Sequence, residues 1–159
     1  MTGPDEFREV MSHFATGVTV VTTRDRDGVP YGLTVSAFTS VSLDPLLVLV
    51  CLDNRLRGLQ AFKDSMNFGV SILSEDQEDL SRLFAKKDSD RPASIYFDGP
   101  AGIPLLRHSL ATMECETAAT YPGGDHTIFV GKAVSLDVLE GKNGAKPLLY
   151  FRSKYHRLP

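Results

Sequence analysis

The longest uninterrupted apolar run in this chain, Leu46 to Leu52, is only strand-sized. It falls far short of the roughly 20 residues that a membrane-spanning helix needs. It opens after the break Asp44-Pro45 and reads as a β-strand. Its neighbours repeat the message. Val18 to Thr23 is β-branched almost throughout, the composition of a strand. Asp27-Gly28 is a hairpin signal, and a second strand should run from about Tyr31 to Phe38. Further strands are expected over Met66 to Leu73, Ala111 to Tyr121, Thr127 to Val138 and Leu148 to Phe151, the long pair flanking Gly123-Gly124-Asp125.

Helices are few and short. Pro4 and Asp5 mark a start, and Phe7, Val10, Met11 and Phe14 follow at helical spacing before Gly17 ends the segment. Arg57 to Lys63 reads as a second helix. Ser74-Glu75-Asp76-Gln77 carries a capping pattern for a third, with Leu80, Leu83 and Phe84 as its apolar face. Lys86 to Pro92 is a charged loop. Three helices that do not alternate regularly with six or seven strands argue against a doubly wound parallel sheet. A mainly-β antiparallel barrel with helices at its ends fits better.

The 159 residues suit a single domain, and 42% hydrophobic content supplies one core. A net charge of -3 advertises neither nucleic acid nor an anionic membrane as partner. Met1 to Glu9 is acidic and polar, unlike a secretory signal. Cys51 and Cys115 lack CxxC spacing, so neither zinc nor a disulfide framework is expected and a cytoplasmic location is.

Three segments carry candidate chemistry. In an extended chain, Thr34, Ser36, Ser40 and Ser42 share one face while Val35, Ala37 and Val41 share the other. Such a row of hydroxyls suits a polar heterocycle with a phosphorylated chain; it also suits a strand whose polar face meets water. Asp53-Asn54-Arg55-Leu56-Arg57 follows the apolar strand. If Asp53 or Asn54 caps the next helix, free N–H groups and arginines would attract phosphate; an ordinary capped helix reads the same way. Gly123-Gly124-Asp125-His126 could place an imidazole at a barrel mouth, or leave a surface histidine. There is no GxGxxG, Walker, HExxH or Ser-His-Asp arrangement, so a dinucleotide, if used, is not held on a Rossmann unit.

In order along nearly the whole chain, Phe14–Thr23, Gly32–Leu43, Pro45–Asn54, Val70–Gln77, Phe84-Ala85, Gly124–Gly131 and Pro147–Phe151 together resemble the flavin reductase-like family. Its fold is the FMN-binding split barrel, a six-stranded antiparallel, Greek-key-like β-barrel. Its best-known members are the reductase components of two-component flavin-dependent monooxygenases. The resemblance implies an NAD(P)H:flavin oxidoreductase, NADH favoured over NADPH, that reduces FMN or FAD. It implies a homodimer and a separate monooxygenase that receives the reduced flavin. Leu33, Thr34, Val35 and Ser36 would run along the flavin ring. Ser40, Val41, Ser42, Cys51, Asp53, Asn54, Leu56 and Arg57 would hold the ribityl chain and phosphate, and Phe84 and Ala85 would close over the far end. His126 would orient the nicotinamide carboxamide, as the residue closest to catalysis, with Tyr155 and Arg157 nearby. Family members often carry Ser or Thr where Leu56 stands, which leaves the backbone N–H there as the donor. Two rivals share the barrel: an oxidase of the pyridoxamine-phosphate type and a non-catalytic flavin or haem carrier.

Overall fold

The structure is a computed structural model that describes residues 2–87, 90–139 and 144–159. Asp88 and Ser89 of the expected charged loop, and Met1 of the N-terminal segment, lie outside the described residues.

Fifteen elements follow in order. They are α1 (Pro4–Ser12), β1 (Thr16–Gly17), β2 (Thr19–Arg24), β3 (Pro30–Val35), β4 (Phe38–Leu43), β5 (Leu46–Asp53), α2 (Leu59–Ser65), β6 (Asn67–Ile72), α3 (Glu78–Ala85), β7 (Tyr96–Asp98), β8 (Pro104–Leu106), β9 (Ala111–Gly123), β10 (His126–Val138), β11 (Leu149–Phe151) and β12 (Lys154–His156). Seven of the strands form one antiparallel sheet in the order β3-β2-β6-β9-β10-β5-β4. β1, β11 and β12 make a small sheet, and β7 pairs with β8. No described helix is long and apolar enough to cross a membrane.

This corrects the expected six-stranded count. The single strand expected over Tyr31–Phe38 is two strands that break at Ser36-Ala37. They are the two edges of the large sheet, yet they are consecutive in the chain. A two-residue link cannot span a flat seven-stranded sheet, since strands lie about 4.8 Å apart and an extended residue advances about 3.3 Å. The sheet must therefore curl until its edges meet. The amide of Cys51 donates to the Ala37 carbonyl (3.1 Å) and pins the corner to β5. β3 and β4 form no ladder with each other, so the curled sheet keeps a seam.

Inside the curl, Val21, Val50, Leu52, Phe62, Phe68, Val70 and Phe129 form a buried cluster. Each such side chain contributes about 2 kcal/mol through burial. Phe62 meets both Tyr31 and Phe129 edge-on at about 6 Å, a favourable aromatic geometry. On β5 burial alternates: Val48, Val50 and Leu52 face the core while Leu49, Cys51 and Asp53 are half-buried on the outer face. The continuous apolar run thus supplies two different surfaces. β2 is buried on both sides. Its hydroxyls are internally satisfied: Thr19 Oγ1 donates to the Val35 carbonyl (2.6 Å) and Thr22 Oγ1 to the Pro104 carbonyl.

Glu114 on β9 is fully buried. Its carboxylate accepts the amides of Ala101 (3.0 Å) and Ile103 (3.1 Å) and so holds the β7–β8 turn against the sheet. A buried amide left without its acceptor costs about 1–3 kcal/mol. Glu114→Ala, which orphans the buried Ile103 amide and releases that of the exposed Ala101, is expected to lower the unfolding free energy by about 2 kcal/mol in chemical denaturation; a loss below about 1 kcal/mol would show that the turn finds other acceptors.

Candidate functional site

Two hollows lie along the seam. One is an apolar groove of ≈ 810 Å³ between α1, the Ser36-Ala37 corner and the outer face of β5, with Phe7, Met11, Phe14, Phe38, Leu49 and Cys51 in its walls. The other is a cationic cleft of ≈ 440 Å³ lined by Leu33, Thr34, Asp53, Leu56, Phe84 and Ala85, with Arg55, Arg57, Lys86, Lys87 and Arg91 at its rim. Residues two apart on a strand share a face. Cys51 in the groove and Asp53 in the cleft are such neighbours on β5, and Thr34 of the cleft and Ser36 of the groove lie two residues apart where β3 ends. The two hollows share no lining residue but lie in succession along the seam.

The expected site residues distribute unevenly over it. Leu33, Thr34, Asp53, Leu56, Arg57, Phe84 and Ala85 come together in the cleft, and Ser36 and Cys51 in the groove. Val35 points into the core. Ser40, Val41 and Ser42 stand on edge strand β4 and line neither hollow. The even hydroxyl stripe is corrected in two ways. The strand breaks after Val35, and a bulge at Val41 interrupts alternation between Ser40 and Ser42. Val41 is half-exposed where the stripe would bury it. The Thr34 hydroxyl is also committed, donating to the Ser81 carbonyl of α3 (2.6 Å).

The Asp53 corner is not a helix start. α2 begins at Leu59, after Gly58, and Asp53 and Asn54 do not cap it. The segment is instead a tight turn, in which the Leu56 amide donates to the Asp53 carbonyl (3.1 Å) and the Arg55 amide to Asp53 Oδ1 (2.8 Å). The Arg55 guanidinium also donates to both carboxylate oxygens. Cations here come from side chains, not from a helix dipole. Those hydrogen bonds, with smaller help from the nearby His126, hold the Asp53 carboxyl well below the usual carboxylate range.

His126 is the register partner of Asp53 on β5 and of Gly123 across the hairpin. Gly124, at φ 69°, supplies the left-handed residue that the two-residue turn requires. Asn54 ties this turn to the cleft. Its amide donates to the Asp125 carbonyl (2.9 Å), and its side-chain oxygen accepts from Thr127 (2.6 Å). His126 Nδ1 lies 2.7 Å from Asp125 Oδ1. The carboxylate can only accept, so Nδ1 carries the proton of this contact; in the neutral ring that leaves Nε2 as the acceptor.

Tyr155 sits across α3 from the cleft, its hydroxyl 2.7 Å from the buried Ser81 Oγ. Arg157 is exposed near the C-terminus and lines neither hollow. The sequence reading missed Lys86, Lys87 and Arg91. The Arg91 guanidinium lies 4.7 Å over the Phe84 ring and donates to the Lys86 carbonyl (3.1 Å). The charged run from Lys86 was the available signal. It also missed the groove's N-terminal wall, where Phe7 and Met11 of α1 and Phe14 just beyond it are all exposed. Cys51 and Cys115 are free thiols, and burial pushes Cys115 up to about 12. Among the described residues no cluster of His, Cys, Asp and Glu could hold a metal.

Comparison with known proteins places these features in context. Residues 11–159 match the model of the flavin reductase like domain. The chain is 39% identical over 153 residues to the NADH-dependent flavin reductase StyB of Pseudomonas fluorescens, covering 96% of this chain and 89% of that one. It is 38% identical to the flavin-dependent monooxygenase reductase subunit HsaB of Rhodococcus jostii, covering 96% and 76%. The solved structure of the flavin reductase PheA2 superposes with a TM-score of 0.90 at 38% identity, covering 99% of each chain.

The depressed Asp53 has a pH signature. A carboxyl whose folded pKa lies below its unfolded value near about 3.9 stabilises the fold above that value, and the benefit fades as pH falls further. The Tm difference between the parent and Asp53→Asn should therefore be larger at pH 7 than at pH 3. A difference that is constant or grows on acidification would contradict the Asp53–Arg55 pairing.

Proposed function

The chain belongs to the flavin reductase-like family and reduces flavin with NADH; from that premise we propose that the seam is where the flavin binds. The observation that carries this is the succession of an apolar groove and a cationic cleft along the seam, with Ser36 and Cys51 in the first and Leu33, Thr34, Asp53 and Arg57 in the second. A flavin has the same polarity, a flat, largely apolar ring at one end and an anionic phosphate at the other. Leu33, Ser36, Leu49 and Cys51 would hold the ring. Arg57, with the rim cations Lys86, Lys87 and Arg91, would hold the phosphate, while the Leu56 amide expected to serve there is committed to the Asp53 carbonyl. Ser40, Val41 and Ser42 would contribute only from the β4 edge. Flavin held there would supply the redox chemistry, as the acceptor of one hydride, with its two electrons, from the nicotinamide.

The protein's own part is positional. Asp125 fixes the His126 ring so that Nε2 can accept a hydrogen bond from the nicotinamide carboxamide. Phe84, held down by Arg91, closes the end of the cleft away from β5 and excludes water there. Tyr155 and Arg157 would serve the dinucleotide from the C-terminal side.

The relatives that are reductase subunits of flavin-dependent monooxygenases support delivery of reduced flavin to a separate monooxygenase. A trough open to solvent suits flavin that comes and goes. The finer architecture follows: a Greek-key-like split barrel curled from the seven-stranded sheet, whose seam is the gap between β3 and β4. The exposed apolar face of α1, beside the groove, is the surface a second copy would cover in a homodimer. The free thiols suit the reducing cytoplasm.

Mixing the protein with NADH and FMN or FAD should give oxidation at the nicotinamide absorbance band. No oxidation with any pairing, NADPH included, would refute the reductase reading. His126→Ala should raise the KM for NADH or slow flavin reduction by about tenfold, the scale of one lost hydrogen bond; unchanged kinetics would remove His126 from the site.

A further inference from the structure

Orienting an imidazole takes two fixed references, one for the ring and one for the backbone that carries it. Asp125 supplies the first, holding the His126 ring to its own turn. It cannot supply the second. Asp125 belongs to the same turn, and its side chain is 81% exposed, where an ion pair is worth little. The turn itself has freedom to lose. Gly123 and Gly124 are consecutive glycines, the residues with the widest backbone range. The β5 ladder reaches His126, opposite Asp53, and stops there.

Asn54, the first residue past β5, meets the turn from outside. Its backbone amide donates to the Asp125 carbonyl (2.9 Å). Its Oδ1 accepts from the Thr127 hydroxyl (2.6 Å), and its Nδ2 reaches the Gly124 carbonyl at the long distance of 3.5 Å. The contacts land on residues 124, 125 and 127, and so bracket His126. The cleft lies on the other side of the chain here. Asp53, Arg55, Leu56 and Arg57 all line it, whereas Asn54 and Thr127 line neither the cleft nor the groove. The family resemblance implies flavin contact for Asn54; its side chain is instead committed to the turn.

We propose that Asn54 is a positioning residue for the nicotinamide half of the reaction. With Thr127 it holds the turn so that His126 faces the seam, and its side chain binds no flavin. The proposal rests on the reading in which His126 meets the nicotinamide. Both side-chain contacts are exposed, so losing them costs the fold little. The imidazole is less tolerant. It stands next in the chain to two of the anchored residues, and a shift of about 1 Å exceeds the useful range of a hydrogen bond, about 2.7–3.2 Å.

Substitution isolates the side-chain contacts. Asn54 does not adopt a left-handed backbone, so alanine fits there without strain and the backbone bond to Asp125 stays. In steady-state kinetics with NADH and FMN, Asn54→Ala and Thr127→Val should each lower kcat/KM for NADH about fivefold, the scale of one lost hydrogen bond. The flavin KM should not move. The double variant should be no worse than either single one, and Thr127→Ser, which keeps the hydroxyl, should retain the parent value. On a His126→Ala background, Asn54→Ala should make no further difference. A raised flavin KM, additive losses in the double variant, a full loss on the His126→Ala background or an unchanged kcat/KM would each overturn the proposal. The turn is also read directly, without NADH, by amide ¹⁵N relaxation in the flavin-free protein. Gly124 to His126 should be ordered in the parent, with order parameters near about 0.85, and fall below about 0.6 in Asn54→Ala; equal order would overturn the clamp. A parent that oxidises NADH with neither flavin, or a His126→Ala variant with parent kinetics, would refute the underlying reading instead, and the relaxation measurement would still decide whether Asn54 holds the turn.

Discussion

Two residues, Ser36 and Ala37, join strands that lie at opposite edges of the seven-stranded sheet. Everything functional in the molecule follows from that short link. It forces the sheet to curl, and the Cys51–Ala37 hydrogen bond fixes how the edges meet. Because β3 and β4 do not pair, the meeting line stays a trough. A sheet closed by a full ladder would have filled this line with backbone hydrogen bonds and left no room for a ligand.

The trough's polarity comes from the two-residue period of strands. On β5 the inward residues Val48, Val50 and Leu52 build the core, and the outward residues Leu49, Cys51 and Asp53 run from apolar to charged. The same strand stabilises the fold and grades the site. The GDH turn is tethered to the charged end through Asn54, Asp53 and the β10 register, so the imidazole and the cations belong to one rigid unit.

Much of this was legible in the residues. The long β9–β10 hairpin followed from β-rich runs around Gly123-Gly124-Asp125, and the apolar strand from Leu46–Leu52, because both signals are local. What failed was non-local. Nothing at Ser36-Ala37 announces a sheet corner, since both residues are acceptable in an extended strand; the break is imposed by where β5 lies. Asp53 looked like a helix cap because Asp often is one, but Arg55 competes for its carboxylate and the helix starts at Leu59. β7, β8 and β12 are three-residue strands, too short to show a period. The cations of the cleft come from two separate segments, and only the fold brings Arg57 to one rim with Lys86 and Arg91. Family resemblance supplied the flavin assignment, and packing supplied the reason for it.

A structure of the protein with FMN bound tests the central claim most directly. The account predicts the ring along Leu33–Ser36 and Cys51, with the phosphate among Arg57, Arg91 and the rim lysines. A flavin bound elsewhere on the sheet, with the seam between β3 and β4 left to solvent, would contradict it.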